Sequence, residues 1–242
     1  MGAPFDGIDL AVEGGVATLT IRREAKRNAL AHRHFADLVR LLDAADADDN
    51  VGVIVLTGEG DRAFCAGADL GSGEAFFETI GDHATTGLGD FIRRAHRLKK
   101  PLVGRINGHC YAGGVGLLAA CDMAIAADDA RFALPEITLG LFPYVVLAAL
   151  RPKIAAPFIA ELALTGTPVN AQRAMGMGLV IDCVPRTELD ARVADLARTM
   201  AGMPRQAMQA GRPWLQAMDA DAFEASISQA EDLTRQLAAS RG

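Results

Sequence analysis

Cysteine is scarce in this 242-residue chain, with only Cys65, Cys110, Cys121 and Cys183. None forms a C-x-x-C pair and their spacing fits no zinc pattern, so the expectation is four reduced, mostly buried thiols. Long basic blocks are also missing. With 30 acidic against 24 basic residues the net charge is −6, and a nucleic-acid partner is not expected. An anionic small ligand stays open, because backbone dipoles rather than net charge build such a pocket. Neither G-x-G-x-x-G nor G-K-[ST] occurs, so no dinucleotide or P-loop fingerprint is present. His32, His34, His83, His96 and His109 form no recognisable ligand set, and no metal is expected. The longest apolar stretch, residues 139–150, contains Pro143 and runs into Arg151, Pro152 and Lys153, too short for a membrane span. Residues 1–8 lack a basic region followed by an apolar run, so no signal peptide is expected and the location read is cytoplasmic.

What is present is a globular pattern. Half of the residues are hydrophobic and 22% are charged, enough for a sizeable core. After Gly14-Gly15, Ala17, Leu19 and Ile21 alternate with Val16, Thr18 and Thr20, which predicts the second strand of a hairpin. Residues 32–45 place Phe35, Leu38, Val39 and Leu42 on one helical face. Short apolar runs at 51–56, 101–106 and 123–126 suit strands buried on both faces of a parallel sheet. With helical segments between them they predict a repeated βα pattern with right-handed crossovers. Residues 71–90 hold five glycines with weak periodicity and read as a mobile loop with a short helix, either a pocket wall or a plain surface insertion. Beyond Val184 the pattern becomes helical, with segments predicted at 188–201, 205–218 and 222–239. Their apolar stripes must fold back on the core or meet a neighbouring subunit.

Three segments carry candidate chemistry. Two are glycine-bearing turns: residues 63–70 (AFCAGADL) and residues 106–117 (INGHCYAGGVGL). Small residues let a backbone approach a ligand closely, and each turn is placed to open a helix, where free N–H groups favour negative charge. Two such turns facing each other would supply two donors to one oxygen. Taken singly, each cluster fits tight helix–strand packing equally well. The third segment, residues 131–143 (RFALPEITLGLFP), places Glu136 among apolar neighbours. Burial there would raise its pKa into a range useful for proton transfer, whereas a solvated loop position would leave it ordinary.

In this order the segments resemble the crotonase (enoyl-CoA hydratase/isomerase) superfamily. The matching pieces are residues 21–30 (IRREAKRNAL), 53–70 (VIVLTGEGDRAFCAGADL), 106–127 (INGHCYAGGVGLLAACDMAIAA) and 132–143 (FALPEITLGLFP), with a weaker match at 162–184. The resemblance implies an α/β fold: a spiral of ββα units over residues 1–185, carrying the CoA and active site, and a C-terminal helical trimerisation region over 186–242. It implies an acyl-CoA substrate, no cofactor beyond the CoA that is part of it, and a homotrimer or homohexamer. By position the oxyanion donors fall on the N–H groups of Ala68 and Gly113, with Glu136 as the catalytic carboxylate. Substrate and CoA contacts fall on Lys26, Arg27, Ala29, Ala66, Asp69, Leu70, Gly114, Gly116 and Tyr144. Asp69 has a competing role as a helix N-cap, and Asp122 is read as structural for similar reasons.

Two departures from the family pattern stand out. Hydratases of the type carry a second glutamate three residues after the oxyanion glycine; here that position is Gly116. One carboxylate suffices to move a proton between C2 and C4, and some hydratase-like members share the Gly-Val-Gly-Leu form. The expected activity is therefore double-bond isomerisation or hydration through an enolate. The alternatives are an acyl-CoA thioester hydrolase and a non-catalytic acyl-CoA-binding oligomer. A nucleophilic role for Cys65 is a weaker option, since it has no obvious base. Many relatives also close on an F-x-E-K-R-x-P-x-F segment, whereas here Phe223-Glu224 is followed by Ala225-Ser226. CoA is expected to be held without those contacts.

Overall fold

The computed structural model of the chain describes residues 7–69, 86–217 and 220–239. It opens on an antiparallel hairpin of β1 (Ile8–Glu13) and β2 (Val16–Ile21), with Glu13 opposite Val16. Both turn residues, Gly14 and Gly15, have positive φ (56° and 82°), as a two-residue hairpin turn requires. Helix α1 (His32–Ala47) follows, burying Phe35, Leu38, Leu41 and Leu42.

The next three long strands are β3 (Val53–Gly58), β5 (Leu102–Ile106) and β7 (Met123–Ala127). With β1, β2 and β10 (Asp182–Val184) they form a six-stranded sheet in the order β1-β2-β3-β5-β7-β10, parallel from β2 onward. Its apolar runs are explained by burial on both faces. Ile54 and Leu56 of β3 enter the main core, while Val53 and Val55 turn to the opposite face against Leu189, Val193 and Ala197 of α7 (Leu189–Ala201). Side chains alternate along a strand, so one run serves two layers.

The βα repeat read from composition is in fact a ββα repeat. Each of β3, β5 and β7 is followed by a three-residue strand: β4 (Ala63–Cys65), β6 (His109–Tyr111) and β8 (Arg131–Ala133). Together with β9 (Val169–Asn170), which pairs with β8, they form a second sheet of order β4-β6-β8-β9. Strands this short carry no legible periodicity, which is why they read as turns. Helices α2 (Gly87–His96), α3 (Gly113–Ala120), α4 (Tyr144–Leu150), α5 (Ala156–Thr165) and α6 (Ala171–Met177) cover the sheets. Residues 87–90, the end of the segment expected as a loop with a short helix, form the first turn of α2, capped by Thr86, whose Oγ1 accepts from Gly89 N at 3.0 Å. Most of the expected glycine-rich loop lies outside the described residues.

The C-terminal helices α8 (Arg205–Ala217) and α9 (Ala220–Ala239) fold back on the core of their own chain. Arg212 of α8 is buried, donates to Asp122 at 2.8 Å and to the carbonyl of Ala95 at 2.8 Å. Asp122 also accepts from Leu102 N and Gln216, so its structural role is that of a clasp between strand and tail rather than a helix cap. Helix α9 buries Ile227 and Ala230, and Phe223 stacks on His96 with centroids 4.1 Å apart. Among the described residues, no helix is long and apolar enough to cross a membrane, and no cluster of three or more His, Cys, Asp or Glu is placed to hold a metal.

Candidate active site

In the second sheet, β4 pairs with β6 and β6 with β8, both in parallel. Their carboxyl ends therefore emerge on one edge, the place where parallel sheets present ligand sites. From β4 comes Ala66-Gly67-Ala68-Asp69, from β6 Ala112-Gly113, and from β8 Leu134-Pro135-Glu136. The topology thus gathers all three segments singled out in the sequence.

The first turn is fastened to residues 27–30. Ala66 N donates to Arg27 O (3.1 Å), Leu30 N to Gly67 O (2.8 Å) and Asp69 N to Leu30 O (3.0 Å). That bridge flanks Ala68 and leaves its own N–H without an acceptor among the described residues. Residues 27–30 are fixed in turn by Asn28, fully buried, whose side chain donates to Glu59 O and Ala63 O and accepts from Arg23 N. The conspicuous R-N-A-L motif is thus a clip that holds the turn.

Gly67 has φ +93°, and a Cβ built there would lie 2.8 Å from Ala112 Cβ and 3.0 Å from Gly113 N. Only glycine lets the two turns meet this closely. Ala112 itself has φ +50° and ψ −124°, an uncommon conformation for a residue with a side chain. It aims the first N–H of α3, that of Gly113, out of the helix start, where it has no partner within the helix. Two donors from two neighbouring turns therefore open onto one edge.

Glu136 lies in the 3-10 turn Pro135–Leu139 that follows β8. Ala112 N donates to Ala133 O at 3.0 Å, which sets this turn beside the start of α3. The Oε2 atom of Glu136 is buried with no hydrogen-bond partner among the described residues. Burial pushes its carboxyl from an ordinary value of 4.5 up to about 7, against a small opposing pull from its own backbone N–H. The residue as a whole is half-buried but its carboxyl end is enclosed, so of the two readings open in the sequence the desolvated one holds.

The other expected contacts divide. Lys26 and Arg27 are exposed beside the first turn, Arg27 at φ +53°, while Ala29 is buried beneath it. Asp69 turns its carboxylate inward onto Arg23 at 2.6 Å, which places it in the scaffold instead of at an open surface. Gly114 is buried against β4: a Cβ there would stand 2.2 Å from Cys65 O, so this glycine serves close helix–strand packing. Leu70 lies outside the described residues. Tyr144 opens α4 with its ring tilted against Phe142, centroids 5.0 Å apart. Position 116 is not open space, since a Cβ on Gly116 would meet Leu88 Cδ2 at 2.9 Å and Val146 Cγ2 at 3.4 Å. Cys65 is fully buried and its thiol is pushed up to about 12 by desolvation, which removes it as a nucleophile near neutrality. His109 is exposed and stacks on Tyr111.

Sequence reasoning missed Leu88, Val146 and Glu231. Their weight is set by contacts between distant segments, and the only local signal is the Thr86-x-x-Gly89 cap. A cavity of about 120 Å³, lined by Ile92, His96, Ala120, Lys153 and Phe223 among others, lies toward the far end of α3 and not at the edge where the three turns converge.

A family model described as enoyl-CoA hydratase/isomerase matches residues 11–241. The 2,3-dehydroadipyl-CoA hydratase of Escherichia coli (strain K12) is 34% identical over 227 residues, 93% of this chain and 87% of the relative. The hydroxycinnamoyl-CoA hydratase-lyase of Pseudomonas fluorescens is 32% identical over 203 residues, 80% of this chain and 72% of the relative. Among solved structures, an enoyl-CoA hydratase from Mycobacterium avium superposes with a TM-score of 0.86 at 30% identity, covering 96% of this chain and 90% of the other.

Proposed function

The chain belongs to the enoyl-CoA hydratase/isomerase family, and we propose that it binds an acyl-CoA thioester with its carbonyl oxygen between the N–H groups of Ala68 and Gly113 and uses Glu136 to move a proton on the resulting enolate. The observation that carries this reading is a carboxylate raised to about 7, whose buried Oε2 has no partner among the described residues, on the same sheet edge as the amides of Ala68 and Gly113.

The chemistry follows from the parts. As Glu136 takes a proton from the carbon next to the thioester carbonyl, negative charge moves onto the carbonyl oxygen. Two fixed donors stabilise that charge more than they stabilise the neutral ground state; loss of one such donor elsewhere costs about 2.7–4 kcal/mol. The protonated Glu136 then returns the proton at C2 or C4, and return at C4 shifts the double bond. No second carboxylate stands at Gly116, which favours this isomerisation. Hydration across C2=C3 is the second reading, favoured by the hydratases among the relatives. Isomerisation draws on protein groups and the thioester alone, hydration on one water molecule besides, and neither needs a separate cofactor. Lys26 and Arg27 would meet the CoA phosphates at the rim. The assembly we propose is a cytoplasmic homotrimer or homohexamer, for which exposed Trp214 and Leu215 on α8 offer apolar surface.

The deciding experiment is a screen of 2-enoyl-, 3-enoyl- and saturated acyl-CoAs read by mass spectrometry and ultraviolet absorbance. An unchanged mass with shifted absorbance marks isomerisation and a gain of water marks hydration. Free CoA marks a thioester hydrolase and, like tight binding without turnover, contradicts the proposal.

A further inference from the structure

Helix α2 presents Leu88 to the start of α3. A Cβ on Gly113 would lie 3.8 Å from Leu88 Cδ2, and one on Gly116 would lie 2.9 Å from Cδ2 and 3.2 Å from Cδ1. Leu88 is only half-buried, unlike Gly87 and Gly89 on either side of it, so its methyl groups form a surface beside the Gly113 amide. Val146 of α4 completes that surface on the other side of Gly116.

The position of Leu88 is imposed from far along the chain. Glu231 of α9, 2% exposed, accepts from Thr86 N (2.8 Å) and Thr86 Oγ1 (3.2 Å), and holds Arg93 through Nη1 (3.1 Å) and Nη2 (2.6 Å). A Cβ on Gly89 would stand 2.1 Å from Glu231 Oε1, and one on Gly87 would stand 2.9 Å from Phe35 Cβ. Those two glycines let α2 sit close to α9 and α1, and the carboxylate fixes both the cap and the last turn of α2. Leu88, one turn inside this clamp, has little freedom to swing away.

From this arrangement the geometry points to Leu88 as the residue that sets acyl specificity, a wall against the C3 side of the substrate that admits a straight chain and rejects a branch at C3. The inference rests on the placement of the thioester at Ala68 and Gly113 proposed above. With the carbonyl oxygen on the Gly113 amide, C3, three bonds from that oxygen, falls beside whatever packs against that glycine, and that side chain is Leu88.

The test uses two substitutions with opposite expected signs. Leu88→Ala removes the wall, and Gly116→Ala presses it toward the site by placing a methyl group 2.9 Å from Leu88 Cδ2. Both leave the fold's main supports in place, since Leu88 is half-exposed and alanine is a better helix former than glycine. The readout is the ratio of dissociation constants for 3-methyl-branched and straight 2-enoyl-CoA, measured by calorimetry on the full-length protein. Leu88→Ala should move the ratio about tenfold toward the branched ester, the scale of one or two methylene groups in a pocket. Gly116→Ala should move it the other way. Leu88→Val, a smaller truncation, should fall between wild type and Leu88→Ala. Ratios unchanged within twofold in folded Leu88→Ala and Leu88→Val, or shifts of the same sign from Leu88→Ala and Gly116→Ala, overturn the inference. Because the readout is binding, it is separate from the catalytic reading. That reading fails if the acyl-CoA screen shows no proton transfer, whatever the ratios do.

Discussion

Glu136 and Glu231 both carry buried carboxylate oxygens, the first on a half-buried residue at the edge where β4, β6 and β8 end, the second on a fully enclosed residue of the C-terminal helix. Glu231 has four donors around it, from Thr86 and Arg93. Glu136 has one oxygen with none among the described residues, and burial outweighs the pull of its own backbone N–H to raise its proton affinity. The first arrangement fixes a charge and uses it to hold helices together. The second leaves a proton poised near neutral pH. Burial of a carboxylate is thus the same starting point for architecture and for chemistry, and the supply of donors decides between them.

The largest effect expected from breaking this contrast is on turnover. Glu136→Gln should lower kcat by about 100- to 10,000-fold while leaving acyl-CoA binding within a few-fold. Steady-state kinetics together with calorimetric binding separate the two, and near-wild-type kcat removes Glu136 from the mechanism. At the other carboxylate, Glu231→Ala should act on stability. It takes from half-buried Arg93 the carboxylate held at 2.6 Å, leaving it Glu224 at 2.8 Å, and strips Thr86 N of its acceptor, at an expected cost of about 2–4 kcal/mol in urea unfolding. A loss under 1 kcal/mol would show that the clamp is not a support.

Glycines sharpen the comparison at a smaller scale. Gly114→Ala drives a methyl group onto the carbonyl of Cys65 and should destabilise by about 1–3 kcal/mol. Gly176→Ala, on an exposed face of α6 with nothing within 4 Å, should stabilise by up to about 1 kcal/mol. Equal effects from the two would contradict the packing account.

A further effect of similar, small size is the pH dependence carried by Glu136. Its folded pKa of about 7 stands above the ordinary 4.5, so the native state binds more protons than the unfolded state between these values. Its contribution to stability is therefore full below about 4.5 and is lost as pH rises through about 7. Glu136→Gln lacks this loss. It should be more stable than wild type at pH 8, on the order of 1–2 kcal/mol, with the gap closing toward pH 4.5. Parallel unfolding curves across this range would show that Glu136 is not desolvated.

The legible parts of the molecule were those with local repetition. Period-two alternation located β2, and doubly buried apolar runs located β3, β5 and β7 to within two residues, because each strand's burial is written into its own residues. Glu136 and the two glycine turns stood out by composition, and parallel strand topology then brought them together. Strands β4, β6 and β8 stayed hidden because three residues carry no period. Gly87 and Gly89 pointed to a loop because glycine weakens isolated helices, whereas here close packing against Phe35 and Glu231 outweighs that propensity. The bond between Thr86 and Glu231 spans 145 residues, and nothing near either residue in the sequence announces it. Asp69 and Gly114 looked like contacts for a ligand and proved to face Arg23 and Cys65.

The central claim is that Glu136 carries the proton removed next to the thioester. A 3-enoyl-CoA dideuterated at C2 tests it most directly, with the label at C2 followed by mass spectrometry in wild type and in Glu136→Gln under saturating substrate. The account predicts steady loss of deuterium from C2 in wild type, with a rate that rises as pH passes through about 7, and no loss in the variant. Loss from C2 at the wild-type rate in folded, substrate-bound Glu136→Gln would contradict it.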